Sequence, residues 1–113
     1  MKLTVLDVTL GLLIEYCDQY AATVKMHERE VTLRGNPAAP VTEAVNFIIE
    51  DLKEKNIREV VALLINPAVE LSESDRGKII REASALKDRH QTIIVVKQLE
   101  RIIEALMPQP TSS

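Results

Sequence analysis

A chain of 113 residues, 46% hydrophobic and 27% charged, is sized for one globular domain that can bury a core without disulfide staples. Its net charge of −3, with no long basic run, argues against a nucleic-acid partner, because neutralising phosphates takes a basic patch. No apolar stretch nears the ~20 residues of a membrane span, and Asp7 and Glu15 punctuate the apolar start, so neither a membrane helix nor a signal peptide is expected and the compartment is read as the cytoplasm.

In chain order, Leu6, Leu10, Leu13, Cys17 and Tyr20 recur at four- and three-residue spacing, which predicts a helix over the first twenty residues. Thr4 and Asp7 stand at capping-box spacing at its start. Cys17, the only cysteine, reads as a small buried hydrophobe. Ala22, Val24 and Met26 then alternate with polar residues, as do Val31 and Leu33, which predicts a β-hairpin turning through "HERE". "GNPAAP" breaks the chain. A helix follows from Pro40 to Asn56 on the stripe Val41, Val45, Ile48, Ile49 and Leu52.

The unbroken apolar run Val60 to Ile65 has the signature of a parallel strand covered on both faces, so Leu63→Asp should unfold the domain. Asn66-Pro67 ends it. A helix from about Ser74 to Lys87 buries Ile79, Ile80, Ala83 and Leu86; "QTIIVV" reads as a second buried strand, and a helix from Gln98 to Met107 precedes a frayed tail. The fold class expected is α/β, a small single-domain mixed sheet made of an N-terminal hairpin and parallel βαβ units, flanked by helices. Residues 1–21 form a helical extension, 22–107 the domain and 108–113 the tail.

Chemistry is sparse. Neither GxxxxGK[ST] nor GxGxxG occurs, and the two histidines, His27 and His90, read as solvent-facing turn residues. No catalytic residue, metal site or cofactor is expected, and the protein is read as non-enzymatic. Function in open α/β sheets gathers at the carboxyl ends of strands, which points to Asn36, Asn66 and the loop carrying Glu70, Ser72, Glu73, Ser74, Asp75, Arg76 and Gly77. Ser72 or Ser74 would cap the next helix, and either hydroxyl is also well placed for a phosphate, with Ser74 preferred.

The run from "VKMHEREVTLRGNP" through "VTEAVNFIIEDLKEKNIREVVALLIN" to "LKDRHQTIIVV" resembles the STAS domain family, whose best-known members are bacterial anti-sigma-factor antagonists. "ESDR" (Glu73 to Arg76) falls where that family carries its Asp-Ser-Ser-Gly switch, although Asp75 stands at the acceptor serine. The resemblance implies an anti-anti-sigma module whose partner is an anti-sigma factor or serine kinase, opposed by phosphate or fixed charge at the loop. Alternatives are a constitutive subunit of a larger complex and a small nucleotide- or ligand-binding domain using Asn66, Lys97 and Gln98; a homodimer is left open as a further partner arrangement.

Overall fold

The structure, a computed structural model, describes residues 4–34 and 39–107. It runs α1 (Val5–Arg34), α2 (Ala39–Leu64), α3 (Glu73–Arg89) and α4 (Ile93–Leu106), with no strand among the described residues. The expected mixed sheet is therefore wrong, and the STAS resemblance falls with it, since that family is built on an α/β fold.

α1 starts where the capping box places it. The Thr4 backbone N–H donates to Asp7 Oδ2 at 3.0 Å, and the Asp7 N–H donates to Thr4 Oγ1 at 3.1 Å. The helix then continues straight through the expected hairpin. Its inward positions Leu10, Leu13, Cys17, Tyr20, Val24 and His27 keep a three–four alternation, the spacing of a coiled-coil seam. The strand-like alternation of Ala22, Val24 and Met26 is incidental: Val24 is half-buried, while Ala22 and Met26 are exposed.

α2 absorbs both the expected helix and the expected central strand. Val60, Val61 and Leu64 are buried together with Ile57, at spacings of three, one and three, which mark one face of a helix. Leu63 is 61% exposed and Ala62 is also exposed, so the run is covered on one side only. α3 begins beyond the cap residue Ser72, whose Oγ accepts from the Asp75 N–H at 3.1 Å. α4 joins the expected second strand to the expected last helix. Val95, Leu99, Ile102 and Leu106 are buried at four–three–four spacing, and Ile93 faces out.

Side-chain pairs fix the topology. Lys78 on α3 hydrogen-bonds Asp7 at the start of α1, and Arg89 at the end of α3 donates to Asp18 at 2.7 Å, so these two helices run in the same direction. α1 and α2 pack on each other, only a short link separates Arg34 from Ala39, and His27 lies beside Glu50, which makes the two helices antiparallel. α1 packs on α2 and α3, α4 packs on α3 and α2, and α2 and α3 stand on a diagonal. The result is an up-down-up-down four-helix bundle. Its core runs from Leu10, Leu13 and Cys17 through Ile57 and Val61 to Ile79, Leu86, Leu99 and Ile102.

The two long helices outrun the two short ones. α1 beyond about Tyr20 and α2 before about Ile57 project past the α3–α4 turn as a two-helix arm. A compact domain of this length has a radius of gyration of about 13 Å; here it is 17.0 Å, with extents of 59 × 40 × 24 Å.

Two outcomes follow. Leu99→Ala should cost about 2–5 kcal/mol in urea unfolding because Leu99 is fully enclosed. Leu63→Ala should stay within about 1 kcal/mol of the parent; equal losses would place the core wrongly. The second outcome concerns acid. The Lys78 ammonium, then the Thr4 backbone and hydroxyl, hold the Asp7 carboxyl down at about 2, from 3.8. A depressed carboxyl adds stability above its unfolded value that is lost as pH falls through its folded one. Between pH 4 and 2 the parent should therefore lose stability more steeply than Asp7→Asn, as read by urea midpoints across that range.

Candidate functional site

The loop singled out by sequence lies between α2 and α3, at the end of the bundle away from the arm. Asn66 folds back on itself there, its Oδ1 accepting from the Ala68 N–H at 2.9 Å. Glu70, Glu73, Ser74 and Arg76 are exposed, Asp75 and Gly77 are half-buried, and Ser72 is occupied as the cap of α3. Asn36 lies outside the described residues. The helix ends that flank it, Arg34 and Ala39, stand at the opposite end of the molecule from Asn66. Among the described residues there are no strand ends to group the predicted site. Lys97 and Gln98 likewise lie on α4, where Gln98 accepts from Arg101 Nη1 at 2.8 Å. The phosphoryl-switch reading loses the family that suggested it.

Neither histidine is a solvent-facing turn residue. His90 ends α3: its backbone N–H donates to the Leu86 carbonyl at 2.9 Å, and its Nε2 lies 2.7 Å from Asp18 Oδ1. Arg89 shares that same carboxylate oxygen. This cluster floors an open cleft of about 1010 Å³ in the corner between the arm and the α3–α4 turn, lined also by Lys25, Thr92 and Ile94. Its polar groups are largely spent on holding the α3–α4 turn against α1. Cys17 lies close by but is fully buried, and burial above all pushes its thiol up to about 12, far from a thiolate nucleophile. No group of three His, Cys, Asp or Glu side chains among the described residues is arranged to hold a metal ion.

The arm presents a different surface. Inside it, α1 meets α2 through polar groups: Thr23 and His27 are buried on α1, and Asn46 and Glu50 are half-buried on α2. His27 Nδ1 is 3.3 Å from Glu50 Oε1 but at an angle that makes no hydrogen bond, and Asn46 Nδ2 is buried without a partner. Nearby, burial and then the carboxylates of Glu50, Glu54 and Asp51 push the Tyr20 hydroxyl up to about 12.

Most apolar residues of this half of α2 point the other way, and Phe47, also exposed, stands off their stripe. Val41, Ile48 and Leu52 are 70%, 58% and 59% exposed, and Val45 is exposed beside them. From Val41 to Asn56 no residue is buried, and Ile57 is the first that is. At 100° per residue the outward stripe and the inward face of Ile57, Val61 and Leu64 are separated by roughly 155°. α2 thus carries two apolar faces in succession, one outward and one inward.

No family model, curated protein or solved structure matches the chain. The outward stripe is the surface that sequence reasoning assigned to the core. Its signal was present in the sequence: the stripe of Val41 to Leu52 does not continue in phase into Ile57, Val60 and Val61, so one neighbour cannot cover both.

The two loop serines separate by experiment. Ser72→Ala removes the α3 cap and should cost about 1 kcal/mol, whereas Ser74→Ala, exposed in the first turn, should change the unfolding midpoint little. The reverse order would move the cap to Ser74.

Proposed function

We propose that this protein is a non-enzymatic helical module that works by protein–protein contact, with the outward face of the first half of α2 as its contact surface. One observation carries the reading: from Val41 to Asn56 no residue of the helix is fully enclosed, and its apolar stripe faces out. A helix draws most of its stability from covering an amphipathic face, and an exposed patch of this kind marks a protein-contact site. The partner supplies apolar side chains at helical spacing. Two side chains with catalytic chemistry are committed elsewhere, Cys17 to the core and His90 to the α3 terminus.

A net charge of −3 gives a nucleic acid little to bind. No described helix is long and apolar enough to cross a membrane. The lone, buried Cys17 fits a reducing compartment, which supports the cytoplasm as the site of action.

The test is a photoreactive phenylalanine analogue placed at Leu52, with Glu104 on the exposed side of α4 as control. Irradiation in the native cell should give discrete protein adducts from position 52 and none from 104. No adduct at 52, or the same diffuse set from both, would overturn the contact reading.

A further inference from the structure

We infer that the partner of the α2 stripe is a second copy of this chain, paired antiparallel about a two-fold axis between Val45 and Ile48. The inference rests on the protein-contact reading above and names its partner.

The stripe is self-complementary in register. Val41, Val45, Ile48 and Leu52 follow one another at four, three and four residues, a spacing that reads the same in both directions. It is also the spacing of a coiled-coil seam about 17 Å long. Two such seams laid antiparallel put Val41 of one copy opposite Leu52 of the other, and Val45 opposite Ile48, so every layer pairs apolar with apolar. An isologous contact of this kind closes on itself as a dimer.

Charge favours a like surface over a recognised stranger. The positions beside the seam are Thr42, Ala44, Ile49, Asp51, Lys55 and Asn56, and the two ionised groups among them stand together at the Leu52 end. Partner choice between unlike coiled-coil helices is set by charges along those flanks, and here they are few. In the antiparallel register each Asp51 falls beside Ala44 of the other copy, so the two carboxylates do not meet. A parallel pairing would also set the two bundle bodies side by side at one end, whereas the antiparallel one sends them to opposite ends. α1 packs on the far side of α2 and leaves the seam open.

The size is sufficient. Val41, Val45, Ile48, Ile49 and Leu52 together expose on the order of 500 Å² per chain, or about 1,000 Å² between two copies, where specific interfaces begin. A contact of that size also explains how an arm with a polar interior holds together: the second copy covers the apolar side that α1 does not.

Sedimentation of the full chain tests this at about 100 µM, where a micromolar association is essentially complete. The parent should run at twice the 12.7 kDa chain mass. Ile48→Lys should run as a monomer with unchanged helical circular dichroism, and Ile93→Lys, equally exposed but on α4, should remain dimeric. Val45→Glu should also be monomeric. Mixed with Ile48→Lys it should recover a heterodimer at least about tenfold tighter than either variant alone, because the antiparallel register sets position 45 against 48. A monomeric parent, or a dimer indifferent to Ile48→Lys, would overturn the inference; a mixture that stays monomeric would overturn its register. A monomeric parent that still gives adducts to another protein from position 52 would leave the contact reading standing, whereas a monomer without adducts would remove both.

Discussion

The bundle depends on one seam. Leu10, Leu13, Cys17 and Tyr20 lie along α1 at three–four spacing, and each is buried. That line is where the buried face of α2, the Ile79 face of α3 and the Leu99 face of α4 converge. Because the helices associate by burying such stripes, their relative rotations are set as soon as the α1 stripe is covered. Polar pairs then lock the register along the axis. Asp7 with Lys78 ties the start of α1 to α3, and Asp18 ties the middle of α1 to Arg89 and His90 at the other end of α3.

The seam changes character along its length, and the arm is the consequence. Past Tyr20 the inward positions of α1 become Thr23, Val24 and His27, and the half of α2 that faces them offers Asn46 and Glu50. A buried imidazole nitrogen and a buried amide without hydrogen bonds make this a poor core, since each unsatisfied group carries a desolvation cost of about 1–3 kcal/mol. The apolar side chains that could have replaced them are on the opposite side of α2. An arm of polar interior and apolar exterior is a weak structure alone and a good one when covered, which is why the functional reading centres there.

The misreadings in the sequence have specific causes. Val60 to Ile65 and Ile93 to Val96 are short, β-branched and continuous, and a run of that kind fits a buried strand and a helix segment equally by pattern. Strand and helix preferences differ by less than about 1 kcal/mol per residue, which packing several leucine-sized side chains outweighs. The α1 seam was cut short because His27, a polar residue, holds an inward position, and the fragments left on either side looked like a hairpin. The family resemblance was assembled from those same fragments, so it inherited their error. By contrast, of the residues expected to be buried on α3, Ile79, Ala83 and Leu86 stand where the periodicity put them and Ile80 is half-buried; on the last helix Leu99, Ile102 and Leu106 are buried at helical spacing and Ile103 is half-buried.

What the sequence by itself determined is local chemistry: the Thr4–Asp7 capping box, an element ending just before Asn66-Pro67, and a serine cap opening α3 near Glu73. These depend on hydrogen bonds and backbone limits within a few residues, so no distant part of the chain can revise them. Only the tertiary structure decided whether the β-branched runs became strands or helix turns, and which of the two apolar faces of α2 is enclosed. Both choices rest on which other surfaces are there to be buried against. α1 and α4 pack on the end of α2 that carries Ile57, Val61 and Leu64, and α4 is too short to reach the stripe from Val41 to Leu52.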